Sequence, residues 1–76
     1  MNNERRKEIA AILEKVTELR GKVEDLQNAE QEAFDNMPEG LQQSERGQAC
    51  ENAASRLDDA MTAFDEIESA LEEAKE

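Results

Sequence analysis

The stretch Asn36–Gly47, NMPEGLQQSERG, decides how this chain folds. It holds the chain's one proline, Pro38, and two of its three glycines, Gly40 and Gly47. Pro38 pushes Met37 toward an extended conformation, so a helix arriving from the N-terminal side ends there. Gly40 is free to take a positive φ. Ser44 is a good N-cap for a helix that leaves the segment, although Gly47 three residues on rules out a capping box. The turn therefore spans about 36–44 and separates two helices, about 4–35 and about 45–74.

Both flanking segments carry a seven-residue apolar rule. In the first, Asn2 or Asn3 caps a helix with acid in its opening turn. Ile9, Val16 and Val23 form one row; Ile12, Leu19 and Leu26 form a second, extended by Ala33, and Leu13 widens the stripe. In the second, Cys50, Leu57, Phe64 and Leu71 form one row, with Ala53, Ala60, Ile67 and Ala74 beside it. Met61 and a set of alanines flank that stripe. Two long amphipathic helices with one connection predict an all-α fold, an antiparallel two-helix hairpin of coiled-coil type. A turn centred near Leu41–Gln42 sets Leu26 opposite Leu57, Leu19 opposite Phe64 and Ile12 opposite Leu71. Gly21 falls on the outer face.

Seventy-six residues make one domain, and a chain this short has little core. One cysteine, Cys50, excludes an internal disulfide, and the absence of histidine excludes the usual zinc cage. Cys50 reads as a small core residue. Oligomerisation remains as the source of stability. The stripe is also too broad for one neighbour, so the expected assembly is a homodimer forming a four-helix bundle, with Ile9, Ile12, Leu13, Val16, Leu19, Val23, Leu26, Leu57, Met61, Phe64, Ile67 and Leu71 as core and interface.

Net charge is −11 and unevenly placed. Residues 1–23 carry six bases and four acids; residues 24–76 carry three bases and sixteen acids. Folding back sets Arg5, Arg6 and Lys7 beside Glu66, Glu68, Glu72 and Glu73, which favours the antiparallel direction. The acidity argues against direct nucleic-acid contact and against an anionic membrane surface. No apolar run reaches the roughly 20 residues of a membrane span, and the N-terminus lacks the apolar core of a signal peptide. A cytoplasmic location is expected.

Catalytic chemistry finds no footing. No histidine offers a general base, Cys50 has no base partner, and adjacent acids such as Asp58–Asp59 point to different sides of a helix. The turn has neither a phosphate-loop ending nor alternating oxygen ligands. No cofactor, metal or enzymatic activity is expected. The turn itself is longer than a helix connection needs. Leu41 is an apolar residue in a polar stretch and would plug the end of the helices against Phe34 or Met37. Arg46 would pair with Asp35 or Glu39, or present a fork to a carboxylate or phosphate on a partner. Phe34, Asn36, Met37, Pro38, Glu39, Leu41, Gln42, Ser44, Glu45 and Arg46 are thus the candidate recognition tip, with an end-capping turn as the alternative.

EQEAFDNMPEGLQQSERG, residues 30–47, followed by the acidic AFDEIESALEEAKE of residues 63–76, resembles short uncharacterised acidic helical-hairpin proteins encoded by bacteriophages and prophages. The likeness covers about residues 30–76. It implies an accessory protein of the bacterial host cell's cytoplasm that modulates or inhibits a host defence or regulatory factor, and it supplies no catalytic residue. Two other modes of action fit the residues. An acidic outer face could mimic DNA on a host protein, and Arg46, Arg5 or Arg6 could hold a small signalling nucleotide between subunits. A plain structural coiled coil is the simplest alternative.

Overall fold

The computed structural model describes residues 2–76, and all regular structure among them is helical. Helix α1 spans Asn3–Asp35, the single turn α2 spans Glu39–Gln42, and α3 spans Glu45–Lys75. The caps explain the boundaries. The Asn2 side chain accepts a hydrogen bond from Arg5 N at 2.8 Å, and the Ser44 hydroxyl accepts one from Gly47 N at 3.3 Å. Each satisfies one of the backbone donors that a helix start leaves unpaired.

The connection is not a loop. Asn36 closes α1 by donating its N–H to Glu32 O at 3.0 Å. Pro38, with φ −58° and ψ 149°, then turns the chain, and its carbonyl accepts from Leu41 N and Gln42 N to start α2. Gly40 sits inside this turn, and among the described residues no glycine has a positive φ. The left-handed conformation that Gly40 was free to adopt is therefore not used.

The two long helices lie side by side in a body of 58 × 15 × 12 Å. Its radius of gyration is 17.2 Å, against about 11 Å for a compact domain of this length. Polar contacts between them link Arg6 to the Lys75 carbonyl, Thr17 to Glu68, Arg20 to Asp65 and Gln27 to Asp58. Residue numbers rise on one helix as they fall on the other, so α1 and α3 run in opposite directions. Three of these pairs sum to 85 and Arg6–Lys75 sums to 81, on either side of the expected register, in which facing residues sum to 83.

The seam between the helices is rotated from the expected one. On α1 the less exposed positions include 9, 13, 16, 20, 23, 27, 30 and 34, with 6, 10 and 24 beside them; on α3 they include 50, 54, 57, 61, 64, 68 and 71, with 53 and 60 beside them. Both follow the 3-4 spacing of a coiled-coil seam. Leu13 is 8% exposed and Ala54 4%, and these are the buried apolar side chains. Ile9, Val16, Val23, Leu57, Met61, Phe64 and Leu71 are half-buried. The row Ile12, Leu19 and Leu26 is not in the seam: these are 49%, 50% and 59% exposed, and Ile67 on α3 is 45% exposed. Their place is taken by the rows that contain Leu13, Arg20 and Gln27 on α1 and Ala54, Met61 and Glu68 on α3. Across this seam Arg20 and Gln27 reach to the carboxylates of Asp65 and Asp58, and the small Ala54 side chain is buried.

Candidate functional site

The tip of the structure is built on α2. Phe34 and Met37 are half-buried beneath it, and the Gln42 side chain donates to the Phe34 carbonyl at 3.1 Å, tying α2 to the end of α1. Gly47, in the first turn of α3, is buried against α2. A Cβ at that position would collide with the Leu41 and Gln42 carbonyl groups, so only glycine lets α2 lie on the start of α3. Gly21 and Gly40, by contrast, have nothing within 4 Å of where a Cβ would stand. Gly21 is thus a surface glycine.

Two residues at the tip differ from expectation. Leu41 does not plug the helix end; its side chain is half-exposed. Arg46 is exposed and forms no ion pair with Asp35, Glu39 or any other described residue. Asn36, Pro38, Glu39 and Glu45 are exposed around them, and Ser44 is half-buried by its capping role. The ten tip candidates therefore divide into a supporting group, led by Phe34, Met37, Gln42 and Ser44, and a displayed group that includes Leu41 and Arg46.

The basic N-terminus also behaves differently. Arg6 donates to the main-chain oxygens of Lys75 and Glu76 at 3.0 and 3.2 Å, using the unpaired acceptors where α3 ends rather than a side-chain carboxylate. Arg5 and Lys7 make no ion pair among the described residues. The ion pair between helices is Arg20–Asp65 at 2.7 Å. The Asp65 hydrogen bond and charge hold the Arg20 guanidinium above its ordinary pKa. Cys50 is half-buried, and that burial pushes its thiol pKa up; a hydrogen bond and charge from Glu30 add to the shift, and Arg46 opposes it.

The long sides of the helix pair are unlike each other. At about 3.5 residues per turn, residues i+3 and i+4 lie roughly 50° to either side of residue i. Because the helices run oppositely, the i+3 rows of both come to one side and the i+4 rows to the other. The i+4 side carries the polar bridges Arg20–Asp65, Thr17–Glu68 and Gln27–Asp58. An open trench on that side is lined by Leu13, Thr17 and an acidic group including Glu14, Glu68 and Glu72. The i+3 side carries Ile12, Leu19 and Leu26 from α1 with Ala53, Ala60 and Ile67 from α3.

Charge follows the same division. On the apolar side and its outer edge the charged residues are Arg5, Lys15, Lys22, Arg46 and Arg56 against Glu8 alone, a net of +4 in a chain of net −11. The acids concentrate on the back and on the polar side. No group of three or more His, Cys, Asp or Glu among the described residues is placed to hold a metal ion, and no helix among them is long and apolar enough to cross a membrane. No protein family matches the chain, and no curated protein or solved structure is similar to it.

Proposed function

We propose that this chain is a non-enzymatic binding protein, a helical hairpin that joins a second copy in a four-helix bundle and acts on a protein of the bacterial cell as a phage-type modulator. The observation that carries the reading is the exposed row Ile12, Leu19, Leu26 and Ile67 on a chain that is 38% charged. Large apolar side chains exposed on one side of so polar a surface mark an interaction face. The displayed tip residues Leu41 and Arg46 supply the recognition surface, held in place by α2 and Gly47.

Sedimentation of the purified protein at low micromolar concentration tests the assembly; a stably folded monomer sinks it. Affinity capture from host lysate tests the tip. Wild type should retain a protein that Leu41→Ala and Arg46→Ala lose while keeping full helicity. Retention by both variants removes the tip from the reading.

A DNA-mimic mode has its own support. Glu18, Asp25 and Glu32 on α1, and Asp59, Glu66 and Glu73 on α3, repeat every seven residues, about 10 Å apart along the exposed backs of the helices. A mimic binds a basic nucleic-acid-binding surface with affinity that falls steeply as salt rises. Salt-independent capture of the same partner argues for the tip instead.

A further inference from the structure

We infer that the side carrying Ile12, Leu19 and Leu26 docks against the same side of a second copy, about a two-fold axis parallel to the long axis, so that both turns lie at one end. This rests on the self-association proposed above and specifies its face and its direction.

Surface area supports a second copy. The chain exposes 5749 Å², whereas a compact protein of 8.6 kDa exposes about 4,700 Å². The excess of about 1,000 Å² matches the roughly 800 Å² that each partner gives up in a standard interface. Charge points to the same occupant. Two chains of −11 repel across every acidic surface, and the apolar side, at +4 with Glu8 as its one acid, is where that repulsion is least.

Side-chain size sets the direction. The α1 half of this face is large, with Ile12, Leu19 and Leu26; the α3 half is mostly small, with Ala53, Ala60, Ala63 and Ala70 alongside Ile67. An axis along the molecule lays α1 of each copy on α3 of the other, so large rows meet small rows in both halves of the interface and the four helices are evenly spaced. An axis across the molecule lays large on large and small on small, which holds one pair of helices apart and opens gaps beside the other. The edges agree. Along the first arrangement, Lys15 and Lys22 border Ala63 and Ala70 of the second copy, with Asp59 and Glu66 one position farther out. In the second, the lysine edges of the two copies meet each other. The consequence is a doubled tip: two copies of Leu41 and Arg46 face one partner together, and binding gains from effective concentration.

Pulsed dipolar spectroscopy tests the direction. A nitroxide is placed at the exposed tip through Gln43→Cys in a Cys50→Ser background, and separately near the chain ends through Lys7→Cys. The proposal expects a dimer by sedimentation and tip-to-tip distances of about 20–30 Å, set by interaxial spacings of 8–10 Å. The end labels should give a similarly short distance. A dimer whose tip labels stand nearly the 58 Å length of the molecule apart overturns the direction and leaves self-association intact. A monomer without dipolar modulation overturns both. Leu19→Asp should abolish the modulation while the chain keeps its helicity; a persisting short distance places the interface elsewhere and refutes the docking face.

Discussion

Alanine at Gly47 and at Gly21 should move stability in opposite directions, although both glycines sit in helices. Replacing a helical glycine by alanine yields about 1 kcal/mol where the added methyl is unopposed. Gly21 is such a position, with nothing within 4 Å. At Gly47 the same gain is available, but the methyl would meet the Leu41 and Gln42 carbonyls, which are backbone atoms and yield only if α2 moves. Overpacking of this kind costs about 1–3 kcal/mol. Displacing α3 from α2 also weakens the Ser44 cap, whose donor is Gly47 N, for about 1 kcal/mol more. The net expectation is a loss of about 1–3 kcal/mol for Gly47→Ala and a gain of about 1 kcal/mol for Gly21→Ala. In a domain this small each kcal/mol moves the melting temperature by about 4–8 °C. Thermal and urea melts followed by helical circular dichroism, at one fixed chain concentration, read both. A Gly47→Ala protein that melts at or above wild type refutes the contact between α2 and the start of α3.

Further outcomes follow from other residues. Ser44→Ala should cost about 1 kcal/mol, and Ser44→Asp should restore only part of it, because a carboxylate accepts from Gly47 N but cannot donate to the Leu41 carbonyl as the hydroxyl does; urea midpoints will report both. Arg20→Met should lower the melting temperature at low salt and much less at high salt, because Asp65, its partner, is 56% exposed; an equal loss at both refutes an electrostatic role. Cys50 should react with iodoacetamide more slowly than a free thiol at mildly alkaline pH, since its pKa is raised by burial and Glu30. Glu30→Gln should speed that reaction and Arg46→Ala should slow it. The sign for stability follows: the raised pKa favours the neutral thiol, so its contribution is intact below the free thiol's range and is lost as pH rises through the folded value.

The sequence carries the helices because their signals are local. Asn2 and Ser44 cap through their own side chains, and the rows through Val16 and Phe64 repeat within one helix. Which second row joins each seam is a property of the pair. Leu13, Arg20 and Gln27 read as an unpromising row, since two of the three are polar. Their value appears only when Asp65 and Asp58 stand across from them. The more apolar row, Ile12, Leu19 and Leu26, is the one left facing outward. At the tip, Pro38 is legible as a stop, but EGLQ is too short for periodicity to show a helical turn. Without α2 in place, a glycine three residues past an N-cap has no visible purpose, and Leu41 looks like a plug. Arg46 stood out as one of few bases after Val23, and its exposure keeps it available.

Arg6 closes the end of the molecule opposite α2, where it grips the main-chain oxygens of Lys75 and Glu76. A load applied to the two chain ends therefore pulls on adjacent points of neighbouring helices, perpendicular to their long axes. The helices part like a zipper, with the Arg6 clasp first and each heptad layer after it, so the resisting force at any moment is that of one layer. Tension between one chain end and the tip runs along the helices and shears many layers together. The same fold is thus mechanically weak from its termini and strong along its length.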